Sequence, residues 1–518
     1  MPLTPGTVGA AVTDARAERG DRPFLLFGDD TFTYADVEDR SARIANGLRD
    51  LGVTRGSHLA LILPNCPEYL WSWFGAARIG APVVPVNVAL KGGGLAHVVD
   101  HSDAETLVVH HDYLDRFTSV RERLPKLRRV VVVGGGAGDD VSWDQVAASS
   151  PDDADDPAIE ATDLMLVMYT SGTTGLPKGV VIPQGQILGG PLLLSVAGVT
   201  GDDVLSTCLP LFHANASIIS VWGAFGLGTR IAVSPRFSAS RFWDEIRRYG
   251  ATEFHALGAM LPILYKQPPK PDDADNPCRI VVSAACPKEI WEPFEERFGV
   301  EIVEFYGTVE GGLTMAGPGA PVGSIGRPLP INEMRVVRDD DTECAPNEVG
   351  ELVSRPVGGG GMVRYYKNEQ ATAEKTRGGW LRSGDLAFAD EAGFLWFVDR
   401  KTDSMRRRGE NISSYEVEQV LNEHSDVLES AVYAVPSDLG EDDVMAALVL
   451  QVGATFDPGS IVTHCEERMA YFMVPRYLRV VHELPKTETH RVQKGPLRAS
   501  GITADTWDRE AAGHELRR

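Results

Sequence analysis

Residues 169–180 read YTSGTTGLPKGV, a run dense in glycine and hydroxyl side chains with one lysine. Gly172 and Gly175 leave backbone N–H groups uncovered, and a loop of this kind can wrap a polyphosphate. Thr170 opens the run, Ser171, Thr173 and Thr174 add hydroxyl donors, and Lys178 adds a point charge. The spacing is not the GxxxxGK[ST] of the Walker pattern. Taken alone, the string reads more readily as a solvated turn than as a site. The six cysteines (Cys66, Cys208, Cys278, Cys286, Cys344 and Cys465) are scattered with no CxxC pair. That argues against a zinc site or a disulfide framework and for a reducing compartment.

The elements that must position such a loop show in the hydrophobic pattern. Val37, Ile44, Leu48 and Leu51 predict a helix over 34–51, and a buried strand follows over 59–65. A helix over 69–79 and strands over 81–88, 106–111 and 128–135 continue the alternation, which points to an α/β architecture with largely parallel sheets. Residues 136–160 are acidic and weakly periodic and read as a surface loop, and no internal repeat is evident. A chain of 518 residues is too long for one core. Its composition changes near residue 400, where an apolar strand ends in charge and a basic turn enters a helix. The expected organisation is a large N-terminal domain over 1–398, a hinge at Asp399, Arg400 and Lys401, and a small C-terminal α+β domain over 402–518.

Composition sets limits on function. Hydrophobic residues make up 43% and charged residues 24% of the chain, an ordinary globular balance that excludes disordered, collagen-like and coiled-coil classes. Fifty Lys and Arg against 73 Asp and Glu leave a net charge of −23, which repels phosphate backbones and argues against nucleic-acid binding. Any phosphate-bearing ligand needs a local site that overcomes this field. The first residues lack a signal-peptide pattern, and no uncharged apolar run reaches the roughly 18 residues of a membrane helix. The expectation is a cytoplasmic protein without membrane insertion.

YTSGTTGLPKGV resembles the phosphate-loop signature of the adenylate-forming superfamily, which holds acyl-CoA synthetases, luciferases and the adenylation domains of peptide synthetases. The resemblance runs along essentially the whole chain through further motifs in order. EFYGTVEGG at 304–312 is similar to the segment that stacks adenine and binds magnesium, which implies Tyr306 against the purine, Gly307 and Thr308 beside it, and Glu310 on Mg²⁺. GGWLRSGDLA at 378–387 implies Asp385 at the ribose hydroxyls. FVDRK at 397–401 implies the hinge, with Arg400 also at the ribose. RRRGENISSYEVE at 406–418 resembles the pantetheine channel of crotonobetaine/carnitine-CoA ligase-type members, where Gly409 lets backbone approach the thiol arm. His213 matches a position near the acyl tunnel; Trp222, Gly258, Gly311 and Gly312 lie around the same site and suit a bulky hydrophobic acid. The implied ligands are ATP or AMP, an acyl-adenylate, CoA and Mg²⁺.

The family reaction joins a carboxylate to AMP, then rotates the C-terminal domain so that CoA thiolate attacks the acyl-adenylate. Two departures fall on the first half, and a third follows the phosphate loop. LPKTETHRVQKGPLR at 484–498 places Arg491 where the family has its catalytic lysine, and a planar guanidinium is not a conservative replacement for a point charge. Val309 stands where a Thr or Ser usually precedes the glutamate, and the usual Ser-His after the phosphate loop is Pro183-Gln184. Lys494 is the alternative cation, although three residues along an extended segment it faces the opposite side. Two enzyme readings follow: an acyl-CoA ligase complete in both steps, and one that chiefly transfers acyl from preformed acyl-AMP, supplied by a separate adenylating enzyme, to CoA. A non-catalytic nucleotide-binding protein is the third; it predicts erosion of Lys178, Glu310, Asp385 and the hinge, all of which are present.

Overall fold

The computed structural model describes the chain apart from residues 1–5, 171–176, 259, 318, 359–361, 402, 404, 408–409, 438–441, 470, 488–491, 515 and 517–518, and apart from the side chains at 187, 188, 406, 410 and 411. It divides into two compact units, one of Met1–Val322, Pro328–Asn332 and Arg355–Leu381, the other of Gly323–Arg327, Glu333–Ser354 and Arg382–Arg518.

Two mostly parallel sheets build the first unit. One runs Val141–Ser142, Arg129–Val133, Ala104–His110, His58–Ile62, Val83–Pro85, Leu164–Thr170, Lys178–Pro183, parallel except for the last pair. The other runs Gly311–Met315, Glu301–Thr308, Ile280–Ala284, Glu253–Leu257, Val204–Thr207, Arg230–Val233, Pro23–Phe27, Asp30–Thr33, with antiparallel pairs only at its edges. Strands covered on both faces have no polar side to present, and His58–Ile62 is buried at every residue.

The predicted first helix runs Tyr34–Asp50, opened by a reciprocal capping box between Thr33 and Asp36. The helix Pro67–Arg78 begins on its proline, where a missing N–H costs nothing. The segment 136–160 differs from the expected loop: it holds the short strand Val141–Ser142 and the helix Trp143–Ala147. A second capping box, Ser142 with Gln145, starts that helix, and Val146 seats it on the helix Tyr34–Asp50 at Gly47, where an added Cβ would lie 2.2 Å from Val146 O. Five residues are too few to show a period, so the pattern was silent there.

In the second unit, Asn332–Val337, Gly350–Pro356, Leu381–Ala389 and Leu395–Arg400 form one sheet and Val427–Pro436, Asp442–Leu450, Tyr477–Val480 and Trp507–Asp508 another. Val417 and Leu421 of the helix Ser414–Glu423 and Ile461, Val462 and Cys465 of Pro458–Glu466 share a core with Val432 and Leu448 of that second sheet. No described helix is long and apolar enough to cross a membrane.

Candidate active site

The strands Leu164–Thr170 and Lys178–Pro183 form an antiparallel hairpin that holds the two ends of the glycine-rich loop in register, Thr170 opposite Lys178. Ser171, Gly172, Thr173, Thr174 and Gly175 lie outside the described residues. Lys178 Nζ stands 5.5 Å from the centre of the Tyr365 ring, and the Tyr365 hydroxyl donates to Glu310 Oε1 at 3.1 Å. The first-unit motifs thus meet through a residue that the sequence reading did not single out. Tyr365 is held there by main chain: Val180 bridges it, Val181 N donates to Arg364 O at 2.9 Å, and Tyr366 N donates to Gly179 O at 2.7 Å. Burial, and then the neighbouring Glu310 carboxylate, push the phenol pKa upward, so it stays a donor. The paired tyrosines in VRYYKN were the available signal, but an aromatic at a strand end reads first as core.

Glu310 sits in the turn between Glu301–Thr308 and Gly311–Met315. Thr308 spends its hydroxyl on Gly311 O at 2.8 Å, and Gly311 and Gly312 turn the chain at φ +134° and +74°, values that side chains rarely tolerate. Val309 packs against the apolar core. Tyr306 is half-buried opposite Thr314, and Gly307 is exposed. Beneath them Glu304 is buried and accepts from Ala285 N and Cys286 N; burial pushes its carboxyl up to about 7. The half-buried Glu310 carboxylate suits a hard divalent cation, since oxygen donors are what such an ion takes and Tyr365 occupies one oxygen. Gln184 is fully buried, donates to Ala77 O at 3.1 Å and accepts from Val8 N at 3.0 Å, tying the N-terminal helix Val8–Arg19 to the hairpin.

Of the expected acyl-site residues, His213 packs its ring 4.6 Å from that of Phe212, and burial lowers its pKa to about 4. Trp222 is fully buried in an aromatic cluster, stacked at 5.0 Å on Phe225 with Phe74 at 5.5 Å. Gly258 follows the strand Glu253–Leu257 at φ +56°, its N–H on Ala284 O at 3.1 Å.

In the second unit Asp385 and Arg400 face each other across two strands, Arg400 Nε 3.7 Å from Asp385 Oδ1. Asp399 is buried and accepts from Ser414 N at 2.6 Å, Ser414 Oγ at 2.8 Å and Arg400 N at 2.7 Å. Desolvation raises its pKa, with Lys494 and the donors at Ser414 and Arg400 opposing. Lys401 is exposed and pairs with Asp339 at 2.8 Å. Lys494 lies 2.8 Å from the half-buried Glu418 carboxylate and donates to Ser414 Oγ at 2.5 Å. Gly409 and Arg491 fall outside the described residues.

Residues 12–366 match the family described as AMP-binding enzyme, and residues 416–491 match the AMP-binding enzyme C-terminal domain. The chain is 34% identical over 493 residues to a medium/long-chain-fatty-acid–CoA ligase of Mycobacterium marinum, covering 94% of this chain and 95% of the relative. It is 35% identical over 529 residues to a steroid-22-oyl-CoA synthetase of Rhodococcus jostii, with 96% and 91% covered. A crotonobetaine/carnitine–CoA ligase of Salmonella enteritidis shares 31% over 498 residues, with 92% and 96% covered. A crystal structure of an anthranilate CoA ligase in complex with anthranoyl-AMP superimposes with a TM-score of 0.89 at 26% identity, over 96% of this chain and 98% of that one. By these matches over nearly its whole length, the chain belongs to the AMP-binding, adenylate-forming enzyme family, in its acyl-CoA ligase branch.

Proposed function

We propose that the protein forms an acyl-CoA thioester through an acyl-adenylate, with its own adenylation step weakened, so that preformed acyl-AMP is its better acyl source. The observation that carries this reading is the state of Lys494. The cation that could stand in for the missing catalytic lysine is already spent on Glu418 and Ser414. That leaves Arg491, whose fixed plane replaces a point charge, and a misplacement of roughly 1 Å can cost about 100-fold. Val309, turned to the apolar core, offers phosphate no hydrogen bond.

In this reading the loop Thr170–Gly175 and Lys178 hold the phosphates, Tyr306, Gly307 and Thr308 border the base, and Asp385 and Arg400 hold the ribose. Glu310 would hold Mg²⁺, which when bound screens phosphate charge; Tyr365 fixes the carboxylate that receives it. The domain over 402–518 turns about Asp399–Lys401 relative to residues 1–398, and Gly409 lines the thiol channel. In the second half the CoA sulfur bonds to the acyl carbon, the carbon–oxygen bond to AMP breaks, and the thiol proton is released to solvent. The acid is bulky and hydrophobic, in line with the fatty-acyl and steroid-22-oyl substrates in the relatives' names. A cytoplasmic location and a separate adenylating enzyme complete the proposal.

The test compares CoA-thioester formation from free acid plus MgATP with formation from preformed acyl-AMP. Turnover from acyl-AMP at least about 100-fold faster supports the reading. Restoring Arg491→Lys together with Val309→Thr should then raise the ATP-dependent rate. Equal rates from both inputs would make this an ordinary two-step ligase, in which Arg491 serves through its retained charge.

A further inference from the structure

The strand Glu253–Leu257 buries two ionisable side chains, Glu253 and His255, whose side chains have no exposure at all. His255 Nδ1 lies 2.8 Å from Asn215 Oδ1, and His255 Nε2 lies 3.3 Å from Glu253 Oε1 without the alignment of a hydrogen bond. Asn215 opens the π-helical stretch Asn215–Val221, two residues beyond His213, and wide turns of this type gather at functional sites. Parallel register sets His255 beside Val282 and Val282 beside Val303. Side-chain alternation therefore puts His255 on the sheet face of Phe305, the face opposite to that of Tyr306.

His213 Nε2, Asn215 Nδ2, His255 Nε2 and both Glu253 carboxyl oxygens are buried without a hydrogen-bond partner among the described residues. Folded proteins leave few such atoms, and several in one chain of neighbours mark a place where a polar partner is received. Burial holds His213 at about 4 and His255 at about 3, and pushes Glu253 well above its ordinary range. The two imidazoles are uncharged at neutral pH, and burial disfavours charge on Glu253, so the group is poorly suited to a second carboxylate or an ammonium. It offers hydrogen bonds.

We propose that the acyl site takes an acid whose far end bears an uncharged oxygen, a hydroxyl or a ketone, received by Asn215 and His213, with His255 holding the Asn215 amide in place. The proposal rests on the ligase reading above and narrows its bulky hydrophobic acid to one with a polar tail. It is tested with decanoyl-AMP and a set of mono-oxo derivatives, the ketone moved one carbon at a time, assayed for CoA-thioester formation. The matching non-hydrolysable acyl sulfamates are titrated by calorimetry in parallel. At least one oxo member should exceed the parent by about tenfold or more in affinity and in kcat/KM, and Asn215→Leu and His255→Leu should each bring that ratio toward one. No oxo member exceeding the parent in the wild type, or a ratio that survives Asn215→Leu, overturns the proposal. Oxo-selective binding without thioester from any acyl-AMP would remove the ligase reading and leave the pocket assignment standing.

Discussion

Lys178 and Lys494 are both half-buried or better, yet their surroundings differ in kind. Lys178 lies over the Tyr365 ring and has no carboxylate partner among the described residues. Lys494 is gripped by Glu418 and Ser414, with 11% of its side chain and 16% of that of Glu418 exposed. The same contrast holds around them. Glu310 has one oxygen on Tyr365, whereas Asp399 takes three donors and Arg407 is buried against Asp443 at 3.0 Å. A charge left with unused hydrogen-bonding capacity is available to a ligand; one saturated by protein belongs to the fold, and removing its partner strands it. In the first region the charges keep unused hydrogen-bonding capacity, and in the second they hold strands and a helix in place.

The largest effect that would break this contrast is at Lys494. Lys494→Met takes the cation from Glu418, which keeps only the Val432 N–H at 2.7 Å among its described donors, and should destabilise the second unit by about 3 kcal/mol, seen in a thermal scan as a fall on the order of 10 °C. Unchanged melting with collapsed ATP-dependent turnover would instead make Lys494 catalytic and erase the difference between the two lysines. Lys178→Met should do the reverse, lowering thioester formation by about 100-fold or more while melting shifts by less than about 0.5 kcal/mol.

Tyr365→Phe sharpens the contrast within the first region. Loss of the hydroxyl from the Glu310 carboxylate should raise the apparent Kd for Mg²⁺ about tenfold, read by metal titration of the nucleotide complex, and leave the second unit's melting alone. The smallest effect is a pH dependence. His213 has a folded pKa of about 4 against 6.5 ordinarily, so below 6.5 the unfolded chain takes up a proton that the folded one refuses. Stability is therefore complete above that value and falls as pH drops toward 4, by about 1 kcal/mol near pH 5.5. His213→Phe should remove its share of that slope from a pH-resolved denaturation series for the first unit, leaving the share of His255, whose folded pKa is about 3.

How much of this was legible beforehand depends on whether the signal was local. The α/β alternation, the helix Tyr34–Asp50 and the buried run His58–Ile62 follow from periodicity, and each appears within a residue or a few of its expected limits. The helix Trp143–Ala147 was missed because one turn carries no period and depends on a two-residue capping box. The family was legible because its motifs are strings in a fixed order. The meaning of the departures was not. Val309 reads as a lost phosphate contact, and the fold adds that it packs on the core; Pro183-Gln184 reads as a replaced pair, and the fold makes Gln184 a buried clamp between Ala77 and Val8.

By itself the sequence determined the architecture, the family and the residue types proposed to touch nucleotide, because all of these are written in short runs and their spacing. Tertiary structure alone decided that Tyr365 joins Lys178 to Glu310, that Lys494 is occupied by Glu418, and that His255 meets Asn215. Lys178 and Tyr365 are far apart along the chain, as are Lys494 and Glu418, and His255 and Asn215. Hydrogen bonds and ion pairs act over a few ångströms of space and are indifferent to distance along the chain, so only the folded chain can decide which charges are spent and which are left free.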